Sequence, residues 1–236
     1  MSVDPISESS YMMATLNSIV WNCGGLTTAS STHKAMFFEK NFATNFDIAI
    51  LLETHHREKA ALPQEFLRYE KNYRIVDSPA PDNEPYSGIV CLISHTYTIC
   101  ETTHLIPGRL FNVKLENKSD KTKFNLTAVY LHTNNKLNKT IAENFVKLLR
   151  ATHEPNERKI ILGDFNFIDH HQDKANGLNS TDNMMCSFWI PFLAEFDMTD
   201  PFREQYPRKK FWSFIGTGKA KNSRIDRTST LKMCQT

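Results

Sequence analysis

Apolar runs of four to eight residues, separated by polar turns, recur along most of the chain. In the middle of the chain this alternation predicts a meander of consecutive strands. The predicted strands of the meander are Gly88–Ser94, Tyr97–Thr102, Leu110–Leu115 and Lys123–His132. Turn residues such as those of Asn117–Lys121 separate them, so we expect neighbouring strands to pair in one sheet.

Other apolar runs predict strands that end in polar residues. Asn17–Trp21 is followed by Asn22, and the strongly apolar Phe46–Leu52 is followed by Glu53. Lys159–Leu162 is apolar on both faces and is followed by Gly163, Asp164 and Asn166. Tyr73–Val76 predicts a further short strand. The ends of these strands are where we expect functional side chains.

Three segments have the apolar spacing of helices that pack against a sheet. They are Lys34–Asn45, Leu137–Ala151 and Asn183–Phe196. The first carries Ala35, Phe38 and Phe42 on one side. Strands mixed with amphipathic helices favour an α/β fold.

Composition limits the class of protein. A chain of 236 residues with 40% hydrophobic and 23% charged residues suits one soluble domain. The longest apolar runs, such as Phe46–Leu52 and Ile89–Ile93, are too short to span a membrane, and Met1–Tyr11 lacks a signal pattern. Five Cys residues without a C-x-x-C pair indicate reduced thiols. We therefore expect an intracellular protein, with residues 1–15 a disordered lead-in to one domain over 16–236.

Positive charge is concentrated near the carboxyl end. Arg203–Arg227 holds eight basic and two acidic residues, a net +6, whereas the whole chain carries +2. Aromatic residues interleave with this charge, which is typical of a surface that binds nucleic acid. The predicted DNA-binding residues are Arg203, Lys209, Lys210, Trp212, Lys219, Lys221 and Arg224. Taken alone, the segment fits a solvated loop over an aromatic cluster equally well.

The polar residues at the strand ends suggest chemistry at phosphate. These residues are Asn22, Glu53, Tyr130, Asp164 and Asn166, and Asp226 lies in the last predicted strand. Carboxylates and amides without clustered thiols suit Mg²⁺ or Mn²⁺, which prefer one or two carboxylates, waters and substrate phosphate. Amide and phenol groups can bond phosphate oxygens that gain charge during displacement at phosphorus. The alternative for the Gly163–Asn166 motif alone is an Asx turn after a strand.

Six segments in this order resemble the endonuclease/exonuclease/phosphatase superfamily, and most closely the endonuclease domains of non-LTR retrotransposons. The segments are Ser18–Leu26, Asp47–Thr54, Val129–Tyr130, Gly163–Asn166, Trp212–Ser213 and Ser223–Asp226. The resemblance implies a four-layer α/β sandwich, with two mixed sheets face to face and helices outside. It also implies a DNA substrate, nuclear action, and a chain that works as a monomer without an obligate protein partner.

The resemblance also implies roles for individual residues. Glu53 would be the main metal ligand, with Asn22 beside it. Asp164 would orient or protonate groups at the phosphate, and Asn166 and Tyr130 would hold the phosphate. Asp226 would orient a catalytic His. Glu53 capping a turn and Tyr130 filling the core are the structural alternatives.

One part of the family pattern is missing. Members carry a Ser-Asp-His motif after the Arg-Ile-Asp strand, whereas Thr228–Thr236 contains no His. This predicts a domain that lacks its last strand or strands and leaves a neighbouring strand with an exposed edge. His55, His56, His170 and His171 lie near the site in sequence, and we expect them to be solvated or to cap turns.

Three functions follow in order of preference. The first is a metal-dependent DNA endonuclease that leaves a 3′-hydroxyl to prime reverse transcription, weakened or inactivated by loss of the terminal His. The second is a DNA-binding remnant without catalysis. The third keeps the fold but acts on a lipid or inositol phosphate.

Overall fold

The computed structural model describes residues 16–26, 31–42, 46–59, 62–133, 135–151, 157–211, 213 and 223–231. The strands are β1 (Ser18–Asn22), β2 (Ile48–Leu52), β3 (Tyr73–Ser78), β4 (Ile89–Ser94), β5 (Tyr97–Ile106), β6 (Leu110–Asn117), β7 (Lys123–Tyr130), β8 (Arg158–Asp164), β9 (Met198–Thr199) and β10 (Asp226–Leu231). The helices are α1 (Ser31–Phe42), α2 (Gln64–Leu67), α3 (Asn135–Ala151), α4 (Ser180–Glu195) and α5 (Pro201–Gln205), with 3-10 turns at Arg68–Lys71 and His171–Asp173. The lead-in predicted for 1–15 lies outside the described residues.

The strands form two mixed sheets. The smaller sheet has the order β1-β2-β4-β3, and the larger has the order β5-β6-β7-β8-β10-β9. The pairs β1/β2 and β7/β8 are parallel, and the other pairs are antiparallel. No helix in the described part of the chain is long and apolar enough to cross a membrane.

Three apolar cores separate four layers. The central core joins the two sheets through residues such as Ile50 of β2 and Leu126 of β7. A second core packs α1 and α2 on the smaller sheet through Phe38 and Phe66, and a third packs α3 and α4 on the larger sheet. The four-layer α/β sandwich predicted from the sequence is therefore confirmed.

The strand predictions are confirmed with shifts of a few residues at their ends. The strand that was predicted to contain Asp226 also forms, as β10. It covers the edge of β8 by pairing Asp226 with Asp164 and Thr230 with Ile160. Helix starts were predicted too late, because α1 begins at Ser31 and α4 at Ser180. The start of α4 follows a capping box in which Asn179 and Asp182 bond each other's backbone N–H groups.

Short elements were missed. The segment Asp197–Arg203, for which the sequence predicted no element, contains β9 and the start of α5. Helix α5 begins at Pro201 after Asp200, whose side chain accepts hydrogen bonds from the backbone of Phe202 and Arg203. Five residues are too few to show a helical period, so pattern alone does not reveal such a helix.

Candidate active site

Three predicted site residues lie in one row across the larger sheet. Tyr130 at the end of β7 is in register with Asp164 at the end of β8, and Asp226 at the start of β10 is in register with Asp164 from the other side. Side chains directly opposite in paired strands lie on the same face. The edge of the larger sheet therefore presents a phenol and two carboxyl groups together.

Two residues at strand ends of the smaller sheet contact this row. Asn22 ends β1, where it is in register with Leu52 of β2, and Glu53 follows Leu52. The Tyr130 hydroxyl donates to Oε2 of Glu53 at 2.9 Å, and Nδ2 of Asn22 lies 3.4 Å from Oδ2 of Asp164. The two sheets are thus joined at the edge where their strands end.

Glu53 lies in a strained turn. Its φ is 56° and that of His55 is 58°, a left-handed conformation that costs about 1–2 kcal/mol per residue for side chains other than Gly. The Glu53 carbonyl accepts from the backbone N–H of Gly25, and the Thr54 carbonyl accepts from Leu26. Strain of this kind persists where surrounding contacts impose it, and it is frequent at functional sites.

Asp164 is almost completely buried, at 3% exposure. Loss of solvation, followed by the nearby charge of Asp226, raises the pKa of its carboxyl from 3.8 to about 7. Oδ1 of Asp164 accepts the backbone N–H of Asn166 at 3.0 Å, which opposes this rise. A carboxyl that exchanges its proton near neutral pH is suited to general acid catalysis.

The remaining predicted phosphate ligands are also fixed in place. Asn166 has a φ of 48°, and its Nδ2 donates to the Leu131 carbonyl at 2.7 Å. The Arg109 guanidinium lies over the Tyr130 ring, with its central carbon 4.5 Å from the ring centroid. Burial, and then the charge of Glu53, raise the pKa of the Tyr130 hydroxyl well above its usual range, so it remains a hydrogen-bond donor.

The oxygen donors at this edge fit Mg²⁺ or Mn²⁺. Glu53 offers a partly exposed carboxylate, and the side-chain Oδ1 of Asn22 accepts the Gly24 N–H at 3.2 Å. Nε2 of His55 lies 3.5 Å from Oε1 of Glu53 and makes no hydrogen bond within the described residues. In that part of the chain no group of three or more His, Cys, Asp or Glu side chains forms a complete metal site. A Mg²⁺ ion needs only one or two protein carboxylates beside waters and phosphate.

The predicted DNA-binding residues separate into two sets. Lys209 and Lys210 are exposed, next to the exposed Tyr206 and Phe211. Trp212, Lys219 and Lys221 lie outside the described residues. For the exposed Lys209 and Lys210 the role in DNA binding stays a prediction.

Arg203 and Arg224 do not belong to that surface. Arg224 is 3% exposed and pairs with Asp173 through Nε at 2.9 Å and Nη2 at 3.0 Å, and it also pairs with Asp200. Arg203 pairs with Asp173 as well, and its side chain is 9% exposed. Their charges are neutralised inside the fold, so we remove both from the proposed DNA surface.

The role of Ser213 was not predicted. Its Oγ accepts the backbone N–H groups of Ile225 and Asp226 at 3.0 and 3.1 Å and so fixes the start of β10. Ser213 could have been noticed through its place next to Trp212 in the motif.

The histidines near the site differ in their surroundings. His56 was expected to be solvated or to cap a turn, but it is fully buried. His170 does cap a turn, because its Nδ1 accepts from the Gln172 backbone at 3.2 Å.

Residues 19–228 match the Endonuclease/Exonuclease/phosphatase family. The chain belongs to this family. The matched range includes all six residues described at the sheet edge. Members of the family are typically dependent on divalent metals. A comparison with curated protein sequences found no match.

Solved structures support the same fold. The AP endonuclease LMAP from Leishmania major superposes with a TM-score of 0.68 at 16% identity, covering 92% of this chain and 79% of that chain. The 3′ phosphatase NExo from Neisseria, bound to a product DNA hairpin, gives 0.68 at 14% identity, covering 92% and 87%. The endonuclease domain of TRAS1, a telomere-specific non-LTR retrotransposon, gives 0.63 at 14% identity, covering 92% and 86%. At these identities the likeness establishes the family's fold.

Removing the Tyr130 hydroxyl tests the contact that joins the two sheets. In Tyr130→Phe, Glu53 loses its 2.9 Å partner while the ring and its Arg109 contact remain. We expect the phosphodiester cleavage that the sequence predicts to slow on the order of 10²-fold, as for loss of one preorganised donor. Single-turnover cleavage of labelled duplex DNA measures this. A rate within twofold of wild type would show that the hydroxyl only fills the core.

Proposed function

We propose that this chain is a metal-dependent phosphodiesterase that nicks DNA, as in the endonucleases of non-LTR retrotransposons. The observation that carries the proposal is the meeting of Glu53, Asn22, Tyr130 and Asp164 at one edge, through contacts of 2.9 and 3.4 Å between the sheets. Separate strands supply these side chains, and together they offer a metal ligand set, a phenol donor and an acid. That combination suits displacement at phosphorus.

Glu53 and Asn22 would hold Mg²⁺ or Mn²⁺. When bound, the ion would neutralise charge that develops on the phosphate oxygens. Asn166 would donate a hydrogen bond to the phosphate, and Tyr130 would turn its single O–H from Glu53 to the same phosphate. Both side chains are held by the fold before substrate arrives, which makes such stabilisation effective.

Asp164 would supply the proton for the leaving group. Its carboxyl is partly protonated near pH 7, since burial raises its pKa to about 7. As water forms a bond to phosphorus and the bond from phosphorus to O3′ breaks, Asp164 would protonate O3′, and Asp226 would accept the proton released by the water. The products are a 3′-hydroxyl and a 5′-phosphate, and the 3′-hydroxyl can prime DNA synthesis.

The resemblance of the sequence motifs to retrotransposon endonucleases supports this branch of the family, and the TRAS1 domain shares the fold. For this chain the proposal includes DNA as substrate, action in the nucleus, and a monomer as the working unit. Exposed Lys209 and Lys210 would contact phosphates beside the site.

A second candidate is binding of DNA without cleavage. One observation favours it. The loop with Tyr206, Lys209, Lys210 and Phe211 is exposed and combines positive charge with aromatic rings, a combination that binds DNA without needing the catalytic edge.

Nicking of supercoiled plasmid in Mg²⁺ separates these functions. We expect open-circle product from wild type, and none in EDTA or from Glu53→Ala, because that variant loses the main metal ligand. Salt-dependent binding to duplex DNA without nicking would support the second candidate instead. Release of phosphate from inositol phosphates or lipid vesicles, without action on DNA, would contradict both.

A further inference from the structure

A chain of buried polar side chains lies behind the proposed metal ligand. Thr54 and His56 are both fully buried, and they follow Glu53 in the strained turn. Oγ1 of Thr54 lies 2.5 Å from Nδ1 of His56, and Nε2 of His56 lies 2.9 Å from Oδ2 of Asp77 on β3. A carboxylate accepts hydrogen bonds, so Nε2 carries the donated proton. The imidazole therefore connects the turn to a different strand of the smaller sheet.

The Thr54 hydroxyl packs closely against Gly88. A Cβ at Gly88 would lie 2.5 Å from its Oγ1, and Gly88 has a φ of 106°. The backbone N–H of Thr54 donates to the Gly88 carbonyl at 3.2 Å, and that of His55 donates to Ser87 at 2.9 Å. The His56 carbonyl accepts from Ala80 at 2.8 Å. The turn is thus bonded to β3 through a side chain and to the segment between β3 and β4 through its backbone.

We infer that Thr54, His56 and Asp77 are positioning residues for Glu53, acting as a relay that holds the strained turn in the conformation that presents the Glu53 carboxylate to a metal ion. This inference rests on the proposed function of Glu53 as a metal ligand. A left-handed residue relaxes when its restraints are removed, because other conformations are lower in energy. Outer hydrogen bonds that orient a ligand commonly change metal affinity by 10- to 100-fold.

The relay can be broken at either end with a matched control. Thr54→Val removes the hydroxyl while keeping the shape, and Thr54→Ser keeps the hydroxyl. At the other end Asp77→Ala removes the acceptor, and Asp77→Asn keeps one. Asp77 has a partly exposed side chain, so its variants test the inference even if Thr54→Val does not fold.

Mn²⁺ binding followed by electron paramagnetic resonance is the first readout, measured without DNA. We expect the dissociation constant to rise 10- to 100-fold in Thr54→Val and Asp77→Ala, and to stay within threefold of wild type in Thr54→Ser and Asp77→Asn. Val113→Ala, in the core between the sheets, controls for general loss of stability. We expect it to lower the urea midpoint without changing Mn²⁺ affinity.

The outcomes separate this inference from the proposed function. Unchanged Mn²⁺ affinity in both Thr54→Val and Asp77→Ala, or an equal change in Val113→Ala, would overturn the relay. Wild type that binds Mn²⁺ through Glu53 but does not nick DNA would contradict the proposed function and leave the relay standing. If wild type shows no Glu53-dependent Mn²⁺ binding, both are overturned.

Discussion

Replacing Asp164 with Asn is expected to lower the rate of DNA nicking by about 10²- to 10⁴-fold and to make the protein more stable at pH 8. The loss of activity follows because an amide cannot donate its proton to the leaving oxygen. The gain in stability follows because the fold raises the pKa of Asp164 from 3.8 to about 7, so ionisation at pH 8 occurs at a cost to the folded state.

The stability effect has a defined pH window. Between about pH 4 and pH 7 the folded protein holds a proton on Asp164 that the unfolded chain has released, so the contribution of this group to stability falls as pH rises through that range. The amide of the Asp164→Asn variant does not titrate and has no such dependence. At pH 8 we expect a gain of up to about 4 kcal/mol, or about 8–16 °C in unfolding temperature, and we expect it to shrink towards pH 4.

Thermal unfolding followed by circular dichroism from pH 4 to pH 8, in EDTA, measures this difference. Glu143→Gln removes an exposed carboxylate from α3 and serves as the control, with no comparable pH-dependent gain expected. A stability difference between Asp164→Asn and wild type that does not grow from pH 4 to pH 8 would contradict the pKa assigned to Asp164.

Gly163→Ala is expected to prevent folding. Gly163 has a φ of 152°, and a Cβ there would lie 1.9 Å from the carbonyl oxygen of Val129. The atoms that the Cβ would meet are backbone atoms of Val129. Gly163 lies in a central strand, in register with Val129 of β7 and with Arg227 of β10. Relief requires the separation of β7 from β8, at a cost above about 4–5 kcal/mol against a total stability of roughly 5–15 kcal/mol.

Gly177→Ala is the matched control. Gly177 also has a positive φ, 74°, but a Cβ there would meet nothing within 4 Å. We expect it to cost about 1 kcal/mol, which is the strain of the left-handed backbone alone. Soluble yield and urea unfolding compare the two. Similar urea midpoints for the two variants would show that the sheet accommodates the clash.

The strands that carry the site were predictable because each apolar run ends abruptly in a polar residue. Leu52 followed by Glu53, and Leu162 followed by Gly163 and Asp164, mark the change directly. The order of the strands was not predictable in this way. Strand β10 lies between β8 and β9, which is a long-range arrangement that local periodicity does not encode.

The main error of the sequence prediction was that it did not foresee which charged residues pair inside the fold. Arg224 was counted towards a basic DNA surface, but its partners Asp173 and Asp200 are 51 and 24 residues away. Composition shows how many charges a segment has and not where their partners lie. For the same reason nothing local distinguished the buried His56 from the exposed Arg57 and Glu58 that follow it. The catalytic and metal-binding roles assigned to the six edge residues remain predictions.

The position of β10 has a consequence for synthesis of the protein. Asp164 and Asp226 pair in the folded sheet but leave the ribosome 62 residues apart. At 5–20 residues per second this interval lasts roughly 3–12 s, during which the nascent chain has completed β8 but not the strand that covers it. An open apolar strand edge of this kind invites pairing with other chains. Slower translation after Asp164 should therefore favour aggregation of the nascent chain before the site can assemble.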